Sequence, residues 1–135
     1  MRRVIIADDS STARMFIKRC LEIAGLNETT FVEAANGKEA LVKLKEEHAD
    51  MLVTDLNMPV MDGETLLKWV KSDPHTHEIP VLIITSAGNQ ARESRLISLG
   101  AFAVIKKPVS PANMLTILKT VMNEKGECYE SISKK

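Results

Sequence analysis

The sequence predicts a doubly wound α/β domain: a five-stranded parallel sheet in the order 2-1-3-4-5, covered by five helices. Three observations point to it. Short apolar runs alternate with amphipathic stretches along the chain, and such alternation builds a parallel sheet with helices on both faces. The runs are continuous rather than alternating, as strands buried on both sides require. The unit recurs five times within 135 residues, a length that suits one domain.

The first run, Val4 to Ala7, leads into Asp8-Asp9-Ser10-Ser11, whose oxygens suit a helix N-cap. Ala13, Phe16, Ile17, Cys20, Leu21 and Ala24 then fall at helical spacing, and Gly25 suits the stop. Thr29 and Thr30 precede a weaker second run, Phe31 to Ala34. Asn36-Gly37 opens a helix carrying Ala40, Leu41 and Leu44. The third run, Met51 to Thr54, ends at Asp55, and Met58-Pro59 and Asp62-Gly63 break the chain before a helix marked by Leu66, Leu67 and Val70. Pro74 and Pro80 bracket a loop. Val81 to Thr85 is a β-branched fourth run, followed by Gly88-Asn89 and a helix with Ala91, Leu96 and Leu99 that closes at Gly100. Phe102 to Ile105 is the fifth run, ending at Lys106-Lys107-Pro108. Ser110-Pro111 gives a cap followed by proline at the first helical position, ahead of Met114, Leu115, Leu118, Val121 and Met122. The domain is expected to span residues 1–125, with a polar tail at 126–135. Five such units are the pattern of a flavodoxin-like fold.

Composition narrows the function classes. Hydrophobic residues make up 44% and charged residues 27%, an ordinary globular mix. Lys plus Arg is 18 and Asp plus Glu is 18, so a broad nucleic-acid footprint is not expected. The four-residue run after Arg2-Arg3 is too short for a signal-peptide core. No apolar stretch approaches a membrane span. A cytoplasmic protein is expected, with Cys20 and Cys128 as free thiols.

Parallel strands bring their C-terminal ends to one rim, and ligands bind there. The residues following the strands are Asp8 and Asp9, then Asp55, then Thr85 and Ser86, then Lys106 and Lys107. Three carboxylates that close together repel one another unless one is protonated or a cation intervenes. Mg2+ is a hard cation that takes one or two carboxylates together with phosphoryl oxygens. Asp55 is then placed as a carboxylate nucleophile toward phosphorus. Lys107, the Ser86 hydroxyl and backbone N–H groups would neutralise and position the phosphoryl oxygens.

At these residues the chain resembles the response-regulator receiver family of two-component signalling, in its CheY-like single-domain form. The resemblance runs from about Arg3 to Met122. It is carried by Asp8-Asp9-Ser10, by Asp55-Leu56-Asn57-Met58-Pro59-Val60-Met61-Asp62-Gly63, by Thr85-Ser86-Ala87 and by Lys107-Pro108. It implies that Asp55 is the phosphoacceptor. It further implies that Asp9, Asp55 and the Asn57 backbone carbonyl bind Mg2+ directly, and that Asp8 acts through metal-bound water. Ser86 is implied as the switch hydroxyl and Lys107 as the lysine that pairs with the phosphoryl group. The Lys107-Pro108 bond is expected to be cis. A sensor histidine kinase is implied as phosphodonor, and a downstream protein as target of the face made by the fourth helix, fifth strand and fifth helix. Membrane and nucleic acid are not expected as partners. The chain departs from the family at Val104, where an aromatic is common, and at Lys106, where an apolar residue is common. Gly88, two residues after Ser86, is expected to leave the phosphoaspartate open to water.

Simpler readings exist for each residue alone. Asp8-Asp9 suits a helix N-terminus, Asp55 a turn and Lys107 a solvated surface; their convergence on one rim favours the site. His75 and His77 lie between prolines without a third ligand and read as a solvated loop. The methionines mostly fall at core spacing. A flavin-binding carrier on this fold would want a small-residue phosphate loop where Asp8 and Asp9 stand. A phosphorelay intermediate, a chemotaxis regulator and a pseudo-receiver that binds partners without phosphorylation are the alternatives within the fold.

Overall fold

Each of the apolar runs forms a strand in the computed structural model, which describes residues 1–86 and 89–124. Strands β1 (Arg3–Ala7), β2 (Thr30–Ala34), β3 (Met51–Asp55), β4 (Val81–Thr85) and β5 (Ala103–Lys106) pair in parallel, in the order β2-β1-β3-β4-β5. Helices α1 (Ser11–Ile23), α2 (Gly37–Glu46), α3 (Gly63–Ser72), α4 (Gln90–Ser98) and α5 (Pro111–Glu124) connect or follow them. The expected class, order and element count are all observed.

The pleat explains why the strand sequences are apolar throughout. Successive side chains alternate between two separate cores. Val4, Ile6, Val53, Leu82, Ile84 and Ile105 pack with Ile17, Cys20 and Leu21 of α1 and with Met114, Leu118 and Met122 of α5. Ile5, Ala7, Leu52, Val81 and Ile83 pack with α2, α3 and α4 through Ala40, Leu44, Leu66, Leu67, Val70 and Leu96. Ile5, Ile6, Leu82 and Ile83 are fully buried, and each such side chain stabilises the fold by about 1.5–3 kcal/mol relative to exposure.

The helix starts follow side-chain oxygens. Ser10 accepts from the Ala13 N–H, Asn36 from Glu39, Asp62 from Thr65, Asn89 from Arg92 and Ser110 from Asn113. Gly25 and Gly100, at φ 128° and 112°, take the left-handed conformation beyond α1 and α4.

Two helix assignments need correction. Phe16 was expected on the buried stripe of α1 but is 52% exposed. Ile17, Cys20, Leu21 and Ala24 already fill that stripe, and Phe16 lies about 100° away around the helix from Ile17. Ala91 is also exposed, because α4 reaches the core through Leu96, with Leu99 partly buried beside it. Ala87, Gly88, Cys128 and the 126–135 tail lie outside the described residues.

Candidate functional site

Register brings the acidic residues together. β1 and β3 are neighbours, and Ala7 pairs with Thr54. One residue further along each strand stand Asp8 and Asp55. The Asp8 N–H continues the sheet by donating to the Ala34 carbonyl at 3.0 Å. The chain then leaves the strand, and the Ser10 N–H donates back to Asp8 Oδ1 at 2.9 Å. This tight turn presents Asp9 at the same edge. One oxygen from each of Asp8, Asp9 and Asp55 lies within 4.8 Å of the others.

Asp8 and Asp55 are buried, at 1% and 7% exposure, whereas Asp9 is exposed. Burial pushes the Asp8 carboxyl above its ordinary 3.8. The Ser10 N–H opposes that shift, the charge of Asp55 adds to it, Lys107 opposes it, and Asp9 adds a smaller push. Asp8 Oδ2 has no hydrogen-bond partner among the described residues although it is buried. Such an oxygen is costly unless it faces a cation or an ordered water. All three donors are hard carboxylate oxygens, the set that suits Mg2+. The residues present therefore fit a divalent cation.

Lys107 completes the rim from the far side of β4. Its N–H donates to the Thr85 carbonyl at 2.9 Å, extending the sheet one residue past β5. Its ammonium reaches Asp55 Oδ1 at 3.3 Å. The Lys107-Pro108 peptide bond is cis, as expected. Ser86 is exposed immediately after β4, and with Lys107 it lines an open groove of about 450 Å3 that also touches Phe16 and Pro108.

The loop after Asp55 is held close. Leu56 N–H donates to the Ile84 carbonyl at 2.9 Å, and Gly63 N–H returns to the Leu56 carbonyl at 2.8 Å. Asn57 is exposed on this loop. Gly37 N–H donates to the Met61 carbonyl at 3.0 Å, which ties the loop to the start of α2. Val60 adopts a left-handed φ of 68°.

Val104 is partly buried against the α2–α4 core, and Lys106 follows on the same side. The Lys106 ammonium lies 3.6 Å from Glu93 of α4. His75 and His77 are exposed in the α3–β4 loop, and Asp8, Asp9 and Asp55 form the one carboxylate, histidine or cysteine trio with metal-like spacing among the described residues. Sequence reasoning did not single out Arg14, whose Nη1 donates to the Asp8 carbonyl at 2.5 Å. Its position on the polar flank of α1, five residues past Asp9, was the available signal.

With this geometry in hand, known proteins offer a comparison. A family model described as the response regulator receiver domain matches residues 4–119. The chain is 38% identical over 122 residues to the chemotaxis protein CheY1 of Helicobacter pylori, covering 89% of this chain and 96% of that one. It is 37% identical over 112 residues to the chemotaxis protein CheY-3 of Vibrio cholerae, covering 83% of this chain and 85% of the other. The solved structure of the chemotaxis response regulator CheY4 of Vibrio cholerae superposes with a TM-score of 0.79 at 30% identity, covering 90% of this chain and 98% of CheY4.

Proposed function

The chain belongs to the response regulator receiver family, and from that premise we propose that it takes a phosphoryl group onto Asp55 and signals through a change of shape. The observation that carries this reading is the meeting of three carboxylates and one ammonium at the C-terminal edge of the sheet, with Lys107 Nζ at 3.3 Å from Asp55.

In the proposed reaction an Asp55 carboxylate oxygen attacks phosphorus. The O–P bond forms as the P–N bond of a phosphohistidine on a sensor histidine kinase breaks, and the leaving imidazole retains its electron pair and is then protonated. Asp9, Asp55 and the Asn57 backbone carbonyl would hold Mg2+, with Asp8 acting through its water. When bound, Mg2+ supplies positive charge to the transferring phosphoryl oxygens. Lys107 gives up its pairing with the Asp55 carboxylate to pair with a phosphoryl oxygen, and the Ser86 hydroxyl donates to another. The protein is thus a signalling molecule whose own residues perform transfer and later hydrolysis. Gly88, two residues after Ser86 and without a side chain, would favour a short phosphate lifetime; replacing Gly88 with a bulky residue should lengthen it.

Chemotaxis is the pathway that the similar proteins support, since both curated relatives carry that name and are matched over most of their length. The face made by α4, β5 and α5 is the proposed target surface. A phosphorelay intermediate is the second reading, kept only because Val104 stands where the family commonly has an aromatic. Phosphate passing from the modified protein to a second histidine domain would favour that reading.

Incubation with Mg2+ and acetyl phosphate, followed by intact mass measurement, tests the assignment. One added phosphoryl group is expected, abolished in Asp55→Asn and by chelation. An unmodified wild-type protein would instead indicate a pseudo-receiver.

A further inference from the structure

The acidic trio is supported by a residue outside it. Arg14 of α1 is a long cation whose side chain is only 15% exposed. Its two ends are engaged in different directions. Nε donates to Glu33 Oε1 of β2 at 2.8 Å, and Nη1 donates to the main-chain carbonyl of Asp8 at 2.5 Å. That carbonyl belongs to the peptide joining Asp8 to Asp9, at the point where the chain leaves β1 and turns into α1. Asp8 is therefore held at its N–H by Ala34, at its side chain by the Ser10 N–H, and at its carbonyl by Arg14. Rotation of the Asp8–Asp9 peptide plane would re-aim Asp9, the one exposed member of the trio. We propose that Arg14, braced by Glu33, is a positioning residue that fixes this peptide plane and so sets the affinity of the acidic cluster for its divalent cation.

This inference rests on the metal reading above. Arg14 touches none of the proposed ligand atoms. It acts through the backbone, as residues one shell removed from a metal often do, and their removal commonly weakens metal binding by about 10–100-fold. A two-ended planar guanidinium can bridge a carboxylate and a carbonyl, whereas a lysine ammonium on a flexible stem holds one point.

The test is calorimetric titration of the purified protein with MgCl2 at fixed pH and ionic strength, alongside melting curves in chelator. Arg14→Met is expected to weaken Mg2+ binding about tenfold. Arg14→Lys is expected to restore part of that loss. Glu33→Ala, a change at an exposed side chain that leaves Arg14 tethered only to the carbonyl, is expected to weaken binding about two- to threefold while leaving the melting temperature in chelator nearly unchanged. The Glu33 variant provides the readout if Arg14→Met does not fold. Arg14→Met binding Mg2+ as tightly as wild type would overturn the inference. So would full restoration by lysine, which would show that a one-point contact suffices and the bridge to Glu33 plays no part, or wild-type affinity in Glu33→Ala. Wild-type protein that takes up no Mg2+ would overturn the metal reading itself, and this inference with it.

Discussion

Lys107 and Asp55 meet at 3.3 Å although β4 separates the strands that carry them. The lysine spans the end of β4 because its own N–H extends the β4–β5 pairing by one residue past Lys106. Its side chain is 37% exposed, so the pair contributes little to stability on its own. In the proposed function this ammonium is a charge held ready for a phosphoryl oxygen.

Lys107→Ala should therefore separate metal binding from transfer. Removing a positive charge beside the trio leaves Mg2+ affinity unchanged or higher. The rate of Asp55 modification by acetyl phosphate should fall by about 10–100-fold, less than the loss of a fully enclosed donor because solvent screens this one. Parallel Mg2+ titration and timed mass measurement check both halves. Equal loss in the two would mean that the lysine shapes the site rather than pairing with phosphate.

Gly63 permits the tight approach of α3 to Asp55. A β-carbon there would stand 2.4 Å from the Asp55 carbonyl oxygen and 3.0 Å from the Leu56 α-carbon. Both are backbone atoms, so neither yields without moving β3. Gly63→Ala would gain helix propensity of up to about 1 kcal/mol, but overpacking costs about 1–3 kcal/mol. A net loss of about 1–2 kcal/mol is expected from these two effects, with slower phosphorylation of Asp55. Urea denaturation measures the first and acetyl phosphate labelling the second. A variant as stable as wild type would show that the loop gives way easily.

The rim of carboxylates and lysine was legible in the sequence because of where its residues fall. Asp8, Asp55 and Lys107 each follow an apolar run, and parallel strands send all such positions to one edge. The two cores were legible for the same reason, from runs without polar interruption. Arg14 was not, because its role depends on α1 settling beside the end of β2, where Glu33 and the Asp8 carbonyl come within reach of one side chain. Nor was the close contact at Gly63, which reads in sequence as a chain breaker beside Asp62. Phe16 misled because an aromatic at helical spacing looks like core, and only packing reveals that the stripe is complete without it.

Val60 is the least expected residue in the loop. Its φ of 68° is left-handed, and its β-branched side chain is 76% exposed, with little packing to compensate. Left-handed backbone costs an ordinary residue about 1–2 kcal/mol. Val60→Gly removes that strain but adds a flexibility cost of about 0.5–1 kcal/mol. A net gain of about 0.5–1 kcal/mol is expected from that balance, read as a higher urea midpoint at unchanged slope. A lower midpoint would show that the valine side chain makes a contribution its exposure does not suggest.

Under the proposed metal reading, Asp8 couples stability to pH and to Mg2+. Its folded carboxyl titrates above the ordinary 3.8, chiefly through burial. The native state therefore holds this proton more tightly than the unfolded chain. The stability it contributes is fully present below 3.8 and is lost as pH rises through the elevated folded value. Above that folded value in chelator, the protein carries a buried charge, one oxygen of which has no partner among the described residues. Asp8→Asn keeps the oxygen that accepts from Ser10 and removes the charge. It should be more stable than wild type under those conditions by about 1–3 kcal/mol, and the gap should close as the pH falls toward 3.8. Added Mg2+ should reverse the order, since it binds and stabilises the wild-type carboxylates more than the variant's. Melting curves of both proteins across pH, with chelator and with MgCl2, make the comparison. If Asp8→Asn melts below wild type in chelator at neutral pH, the carboxylate is stabilised by contacts other than those described and no cation is needed to relieve it.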